Sequence, residues 1–210
     1  MNKYSVEEIR KIVREVLLEM QAETFPIGIS NRHIHLTEEH FNILFPNETI
    51  EPLKPLKQPG EFASKQTVSL VGAKGEIKKV RILGPLRKRS QVEISKTDAR
   101  NLGLQPPIRL SGNLDDAVEV MIRSEAAELT IPAAIIAKRH IHLNFQDLER
   151  LKLKEGQLVS VEIFEGTRRT IFHDVELRPG KNFVLEMHVD TDEANAADIQ
   201  PNTRGRIIKE

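Results

Sequence analysis

The amino-acid sequence contains the pentapeptide Arg-His-Ile-His-Leu twice, at Arg32–Leu36 and at Arg139–Leu143. Because side chains alternate between the two faces of a β-strand, both imidazoles of a His-x-His pair point the same way. Two neighbouring imidazoles can chelate a metal ion, so two such pairs predict two metal sites. The repetition also indicates an internal duplication of the chain. The predicted ligands are His33 and His35 in the first copy, and His140 and His142 in the second.

A third protein ligand is expected for each pair, because a catalytic zinc ion usually has three and keeps one open position. His188 lies in an alternating segment near the end of the chain and is the natural third ligand of the second pair. No histidine has a comparable place beside the first pair. Glu93, between Val92 and Ile94, would supply a carboxylate there, although a solvated glutamate on the outer face of a strand explains the pattern equally well.

Several polar residues near predicted bends could bind an anion. Arg87 follows a Gly-Pro-Leu bend, and its guanidinium could donate paired hydrogen bonds to phosphate, although a solvated surface charge is the more common case. Ser30 and Ser111 lie at the ends of predicted strands, where hydroxyl and N–H groups either cup an anion or form an ordinary turn. Gln58 begins the apex of a proline-rich loop that either binds a ligand or merely connects two elements.

The composition of the 210 residues excludes several classes of protein. Thirty-one basic and 31 acidic residues give no net charge at pH 7, and aromatic residues make up only 4%, so we expect no dedicated nucleic-acid-binding surface. The lack of cysteine excludes disulfides, thiolate metal sites and a cysteine nucleophile. The sequence has no run of about 18 apolar residues and no signal-like N-terminal stretch, so we expect no membrane span and a cytoplasmic protein.

The N-terminal segment predicts an amphipathic helix over residues 4–20. Ser5 and Glu8 have the spacing of a capping box. Apolar residues recur every three or four positions and form one stripe, namely Val6, Ile9, Val13, Val16, Leu17 and Met20. Such a helix either packs on its own domain or a second copy of the chain, or it docks into a groove of another protein.

The rest of the chain predicts a mainly β fold with short α caps. Short runs rich in Val and Ile are separated by Gly, Pro and Asn, a spacing typical of small barrels or sandwiches. Each His-x-His pair precedes a capped helix, Thr37–Leu44 or Phe145–Leu151, so the duplication extends beyond the pentapeptide. The predicted strands are Ile27–Ser30, Thr67–Leu70, Lys78–Leu83, Gln91–Ser95, Ile108–Leu110, Val118–Arg123, Ala133–Ala137, Leu158–Ile163, Arg169–Phe172 and Phe183–Val189.

Taken in order, the motifs resemble those of the PduL-type phosphotransacylases, also called phosphate propanoyltransferases. The likeness extends over residues 24–210 and depends on an ordered set of short segments, each of which is weak by itself. The segments are Gly28–Leu36, Gln58–Gly60, Gly84–Arg87, Gln91–Ser95, Arg109–Gly112, Arg139–Leu143 and Met187–His188.

The resemblance implies two tandem small β-barrels, related by the duplication, with the active site at their junction and two zinc ions. The sulfur of coenzyme A could approach the first ion, and water would complete the coordination of the second. Arg87 matches the phosphate-contacting arginine of the family, and the segments of Ser30 and Gln58 match the substrate pocket. The implied ligands are His33, His35 and Glu93 for the first zinc ion, and His140, His142 and His188 for the second.

The resemblance also implies a discontinuous domain arrangement, because the first strand of the family pairs with the C-terminal barrel. One barrel would comprise residues 24–31 and 138–210, the other residues 32–137, and residues 1–23 would form the N-terminal helix and its linker. Family members in bacterial microcompartments carry an amphipathic targeting helix that residues 4–20 resemble. Shell or core proteins of such a compartment are thus expected partners, its lumen is an expected location, and a homodimer is the expected oligomer.

The activity implied by the resemblance is the interconversion of acyl-coenzyme A and phosphate with acyl phosphate and coenzyme A. Direct attack of phosphate on the thioester is the simplest mechanism without cysteine. Propanoyl is the expected acyl group and acetyl a close competitor, because one methylene discriminates by only about 1–3 kcal/mol. A zinc-dependent thioester hydrolase and a non-catalytic metal-binding barrel protein fit the same residues. Zinc is implied by the resemblance alone, since these ligands also accept cobalt, nickel or iron.

Overall fold

The computed structural model describes residues 4–208, without the side chains of residues 16–22. The helices are α1 (Val6–Ala22), α2 (Glu38–Leu44), α3 (Lys96–Leu102), α4 (Phe145–Arg150) and α5 (Thr191–Ala196). The strands are β1 (Thr24–Ser30), β2 (His33–His35), β3 (Pro52–Pro55), β4 (Phe62–Gly72), β5 (Gly75–Gly84), β6 (Gln91–Ile94), β7 (Ile108–Arg109), β8 (Val118–Arg123), β9 (Glu128–Ala137), β10 (His140–Leu143), β11 (Leu158–Ile163), β12 (Thr170–Pro179), β13 (Glu186–Asp190) and β14 (Arg204–Ile207). These elements confirm the predicted mainly β fold with short helices.

Most of these strands close two six-stranded β-barrels. Barrel A has the strand order β1-β13-β10-β12-β11-β14, and antiparallel pairing of β1 with β14 closes it. Barrel B has the order β2-β5-β4-β8-β9-β6, and antiparallel pairing of β2 with β6 closes it. β3 and β7 extend barrel B by pairing with β4 and β9. The chain thus contributes β1 to barrel A, forms barrel B, and then returns to complete barrel A.

The two histidine pairs occupy equivalent places in the two barrels. In barrel B, β2 lies between the parallel strand β5 and the antiparallel strand β6. In barrel A, β10 lies between β12 and β13 with the same two directions. His33 is in register with Glu93, and His140 is in register with His188. The predicted third ligands therefore come from equivalent strands, as expected for diverged copies of one unit.

Side-chain alternation explains why the histidines do not enter the barrel cores. Ile34 and Leu36 are buried in the core of barrel B, and Ile141 and Leu143 in the core of barrel A. The histidines between them point to the opposite face. A shift of one residue in register would expose these apolar side chains, each of which contributes roughly 1.5–3 kcal/mol by burial. The cores thereby determine the direction of the histidines.

Each arginine of the repeated pentapeptide connects its strand to the helix that follows the third ligand. Arg32 donates to Asp98 from Nε at 2.9 Å and from Nη2 at 2.8 Å. Arg139 Nη1 donates to Glu193 Oε1 at 2.7 Å. Asp98 and Glu193 are also the third helical residues of the capping boxes of α3 and α5. An ion pair thus ties the start of each histidine strand to the helix that follows its predicted third ligand.

Four elements were not predicted from the sequence: α3, α5, β3 and β14. Both helices begin with a capping box, Ser95 with Asp98 and Asp190 with Glu193, so each carries a local signal that the prediction left unused. β3 consists of exposed residues with two prolines and lacks an alternating pattern. The predicted capped helices after the histidine pairs are confirmed as α2 and α4, whose N-caps are Thr37 and Asn144.

α1 confirms the predicted N-terminal helix, with bounds two residues later than expected. Ser5 N donates to Glu8 Oε2 at 2.7 Å, and Glu8 N donates to Ser5 Oγ at 3.2 Å, which completes the predicted capping box. The described stripe residues Val6, Ile9 and Val13 are 68%, 45% and 51% exposed. The side chains of Val16, Leu17 and Met20 lie outside the described part. No helix within residues 4–208 combines the length and apolarity needed to span a membrane.

Candidate active site

A cavity of about 590 Å³ lies between barrels A and B and is lined by residues of both. The structure brings to this cavity every residue that the sequence selected as a site residue. They are Ser30, His33, His35, Gln58, Arg87, Glu93, Ser111, His140, His142 and His188.

His33, His35 and Glu93 form the first cluster, in which one potential ligand atom of each residue lies within 4.8 Å of the others. All three residues are buried. Nδ1 of His33 lies 2.8 Å from the carbonyl oxygen of Asn31 and donates to it. In the neutral imidazole, Nε2 then carries the lone pair and faces Glu93 Oε2 at 3.6 Å. A proton or a metal ion is required between these two electron-rich atoms.

The protonation of the first cluster agrees with this requirement. Burial opposes the charged form of His33, but the Glu93 carboxylate outweighs it and raises the pKa of His33 above its ordinary value. Burial also opposes ionisation of Glu93, yet the neighbouring imidazoles hold the pKa of its carboxyl below the usual range. Burial lowers the pKa of His35 to about 2, so this imidazole is neutral near pH 7 and has a lone pair for a metal ion.

His140, His142 and His188 form the second cluster, with potential ligand atoms again within 4.8 Å of one another. Nδ1 of His140 donates to the carbonyl oxygen of Lys138 at 2.8 Å, as Nδ1 of His33 does in the first cluster. Nε2 of His140 thus directs its lone pair toward Nε2 of His142, 3.1 Å away. Burial lowers the pKa of His140 to about 4 and the pKa of His142 to about 2, so both are neutral near pH 7.

Buried nitrogen atoms show that the two clusters fit a metal ion. Nδ1 of His35 and Nδ1 of His142 are buried without a hydrogen-bond partner among the described residues. An unpartnered buried polar atom is unfavourable by about 1–3 kcal/mol, and a neutral imidazole can offer only its unprotonated ring nitrogen to a metal ion. The other histidine of each pair bonds outward to a backbone carbonyl, the orientation usual for zinc ligands. With Glu93 or His188, each cluster offers three ligands of the types that zinc prefers.

Arg87 lies beside the first cluster. Its N–H donates to the carbonyl oxygen of Leu36 at 2.8 Å, which holds the segment after β5 against the end of β2. Its guanidinium donates to Glu61 Oε1 at 3.0 Å and to Ser111 Oγ at 3.2 Å. The Ser111 hydroxyl also accepts from the side-chain amide of Gln91 at 2.9 Å. The guanidinium is therefore positioned at the cavity by a carboxylate and a hydroxyl.

The proline-rich loop joins the two barrels at the cavity. Gln58 is 3% exposed, and its side-chain amide donates to the carbonyl of Val184 and accepts from its N–H, both at 3.1 Å. Lys57 donates to Glu186 Oε1 at 2.9 Å. The other carboxylate oxygen of Glu186 lies 2.9 Å from Nε2 of His188. Gln58 thus lines the cavity while its polar atoms are bonded across the interface.

Comparison with known proteins identifies the family of this chain. Residues 26–200 match the family model described as phosphate propanoyltransferase. The chain belongs to the phosphate propanoyltransferase family. The phosphate propanoyltransferase of Levilactobacillus brevis is 55% identical over 96% of this chain and 95% of its own. Those of Limosilactobacillus reuteri and Salmonella typhimurium are 50% and 48% identical, over 95% and 96% of this chain and 94% and 97% of their own.

Membership of the phosphate propanoyltransferase family confirms the predicted resemblance and the predicted enzyme class, an acyltransferase. The matched residues 26–200 include all ten predicted site residues. α1 lies outside the matched range, so the family model by itself says nothing about the role of this helix.

Among the charged residues that line the cavity and that sequence reasoning missed are Lys57, Arg178 and Glu186. Glu186 had a usable signal, because it precedes His188 by two positions and therefore lies on the same face of β13. Lys57 and Arg178 had none, since a basic residue in a loop or at a strand end is usually a solvated surface charge.

Two serine–histidine hydrogen bonds that the sequence did not reveal lie outside the cavity. Ser90 Oγ lies 2.7 Å from His40 Nδ1, and Ser160 Oγ lies 2.8 Å from His173 Nδ1. None of these four residues lines the cavity. Ser30 and Ser111, which do line it, show no bond to a histidine in the described part of the chain. The structure therefore provides no histidine-activated serine at this site among the residues it describes.

Proposed function

We propose that this member of the phosphate propanoyltransferase family transfers a propanoyl group between coenzyme A and inorganic phosphate, with two zinc ions per chain. The observation that carries the proposal is the convergence of two three-residue ligand clusters and the Arg87 guanidinium on one cavity. Such a site can hold an anionic nucleophile next to an activated carbonyl. Arginine suits a phosphate nucleophile, because it donates paired, charge-assisted hydrogen bonds.

The cavity residues would have separate tasks in this reaction. Zinc ions bound at the two clusters would polarise the thioester carbonyl and stabilise the thiolate of coenzyme A. Arg87 would bind and orient phosphate after its guanidinium separates from Glu61, while Ser111 keeps it at the cavity. Ser30 and the bonded Gln58 would form part of the wall. The proposed zinc ligands are His33, His35 and Glu93 for one ion, and His140, His142 and His188 for the other.

Direct attack of phosphate on the thioester needs no covalent acyl-enzyme. A phosphate oxygen forms a bond to the carbonyl carbon, the carbon–sulfur bond breaks, and the electron pair leaves with the sulfur of coenzyme A. The lack of cysteine in the chain supports this route. Neither serine–histidine pair lines the cavity, which supports this route as well.

A thiol-release assay with acetyl-, propanoyl- and butanoyl-coenzyme A, with and without phosphate, tests the proposal. Metal analysis of the same sample measures zinc per chain. We expect release of coenzyme A only with phosphate, an equal amount of acyl phosphate, and the highest kcat/KM for propanoyl-coenzyme A. Release without phosphate would identify a thioester hydrolase. Inactivity of the zinc-loaded protein toward all three substrates would identify a non-catalytic barrel protein.

We also propose two separate domains, residues 24–31 with 138–210 and residues 32–137, because each barrel has its own apolar core. The exposed stripe residues of α1 support docking of residues 4–20 onto a partner, and shell or core proteins of a bacterial microcompartment are the proposed partners. The cytoplasm or the lumen of such a compartment would then be the location. A homodimer is the proposed oligomer, and light scattering on the purified chain tests it.

A further inference from the structure

One arginine of the cavity has a side chain without a polar partner among the residues that the structure describes. Four arginines line the cavity, and three of them are bonded to carboxylates or backbone carbonyls: Arg32, Arg81 and Arg87. The guanidinium of the fourth, Arg178, forms no hydrogen bond and no ion pair with any residue the structure describes. Its guanidinium carbon lies 5.8 Å from the centre of the Phe183 ring, which packs against it without satisfying its N–H groups.

Arg178 is half-buried and lines the cavity beside the second cluster. It occupies β12 in register with His142 of the second cluster. Burial lowers the pKa of Arg178, and the positive charge of Arg87 lowers it further, while Glu93 of the first cluster opposes this change. Arg178 therefore shares one cavity with both clusters and with Arg87.

A partly buried guanidinium without a partner is energetically unfavourable, and a second guanidinium nearby adds repulsion. An anion that accepts hydrogen bonds from both guanidinium groups, Arg178 and Arg87, would offset both unfavourable effects. We propose that Arg178 and Arg87, one from each barrel, bind the same anionic group. This group is inorganic phosphate when it accepts the acyl group, and the phosphoryl group of acyl phosphate in the reverse reaction. This inference rests on the proposed function, and it assigns Arg178 a direct contact with phosphate and with the phosphoryl group of acyl phosphate.

The phosphate groups of coenzyme A are the other anions that such an arginine could bind. The long pantetheine arm separates these groups from the reactive sulfur. Arg178 lies beside the clusters where the thioester would react, so the acceptor phosphate is the anion that reaches it.

Arg178 and Arg87 do not occupy equivalent positions in the two duplicated units. Arg87 N–H and Gly180 N–H make equivalent bonds to Leu36 and Leu143, so the second barrel has glycine where the first has Arg87.

Kinetics of Arg178→Gln and Arg178→Lys, with Lys181→Gln as control, test the inference. Lys181 is exposed and lies outside the cavity lining, and its replacement by glutamine removes the same charge. We expect Arg178→Gln to raise the KM for phosphate and for acyl phosphate about 10- to 100-fold, with the KM for propanoyl-coenzyme A unchanged within about twofold. Arg178→Lys should have an intermediate effect, and Lys181→Gln none. Zinc content should be unchanged in all variants.

Calorimetric titration of the zinc-loaded proteins with inorganic phosphate gives a readout that does not depend on turnover. Arg178→Gln should weaken phosphate binding at least about tenfold. Equal phosphate affinity in the variant and the parent would refute the inference. A rise in the KM for acyl-coenzyme A alone would also refute it, because it would assign Arg178 to the binding of coenzyme A. Loss of zinc would show a structural role instead. Phosphate binding that depends on Arg178, in a protein without acyl transfer, would refute the proposed function and leave this inference standing.

Discussion

Replacement of Glu61 by glutamine should lower the KM for phosphate. The Glu61 carboxylate accepts a hydrogen bond from Arg87 at 3.0 Å and so occupies the guanidinium to which phosphate is proposed to bind. Phosphate must therefore displace a carboxylate from Arg87 before it can bind there. Glutamine keeps the size of the side chain but removes its charge, so it competes less strongly with the dianion.

The size of the effect follows from the exposure of this ion pair. Two unit charges 3.0 Å apart interact by about 5 kcal/mol at an effective dielectric constant of about 20. The two side chains are 29% and 35% exposed, however, and solvated pairs of this kind contribute only about 0.5–1 kcal/mol. The solvated value applies, because water reaches both groups. The KM for phosphate should accordingly fall about two- to fivefold.

Initial rates with phosphate varied at saturating propanoyl-coenzyme A measure this change. The difference between Glu61→Gln and the parent should shrink as salt is added, because salt screens a partly exposed ion pair. Glu51→Gln is a matched control, since it removes a carboxylate that pairs with Lys65 outside the cavity lining. An unchanged or higher KM for phosphate in Glu61→Gln would refute the view that Glu61 competes with phosphate for Arg87.

Three further predictions concern the site and the fold. Arg87→Ala should raise the KM for phosphate and lower kcat by about two orders of magnitude with zinc retained, and loss of zinc would show that Arg87 is structural. Glu93→Ala and His188→Ala should each lower the zinc content from about two ions to about one per chain, because each variant leaves the other cluster intact. Elemental analysis measures this content, and loss of both ions from one variant would contradict independent sites. Gly72→Ala should destabilise the protein by about 3 kcal/mol and lower Tm by about 6–12 °C, because a Cβ at Gly72 would collide with the backbone carbonyl of Leu102. A Tm equal to that of the parent would contradict this close approach.

The residue types of the two clusters were predictable because their signal is local. A repeated His-x-His pattern reveals two pairs of imidazoles that each share a strand face, without knowledge of any distant contact. Glu93 and His188 also lie in short alternating segments, so their faces were predictable. Their assignment to a particular pair was less secure, because it depends on the register of β6 and β13 beside the histidine strands. That register is set by apolar side chains in the two cores.

The elements that sequence reasoning missed have two different causes. α3 and α5 carry capping boxes that a more thorough application of the same local rules would have found. β3 is an exposed edge strand with two prolines, and its identity as a strand depends on pairing with β4 rather than on its own pattern. Lys57 and Arg178 reach the cavity only because the barrels pack against each other there.

The sequence by itself determined the duplicated His-x-His units, the presence of His and Glu as candidate ligands without cysteine, and the mainly β character of the chain. Only the tertiary structure decided that both clusters face one cavity, that Glu61 holds Arg87, and that Arg178 is left without a partner among the described residues. Strand alternation and helix capping depend on neighbours a few residues away, whereas the cavity depends on how two closed barrels meet. Distant charges are placed by that packing, and no local pattern encodes it.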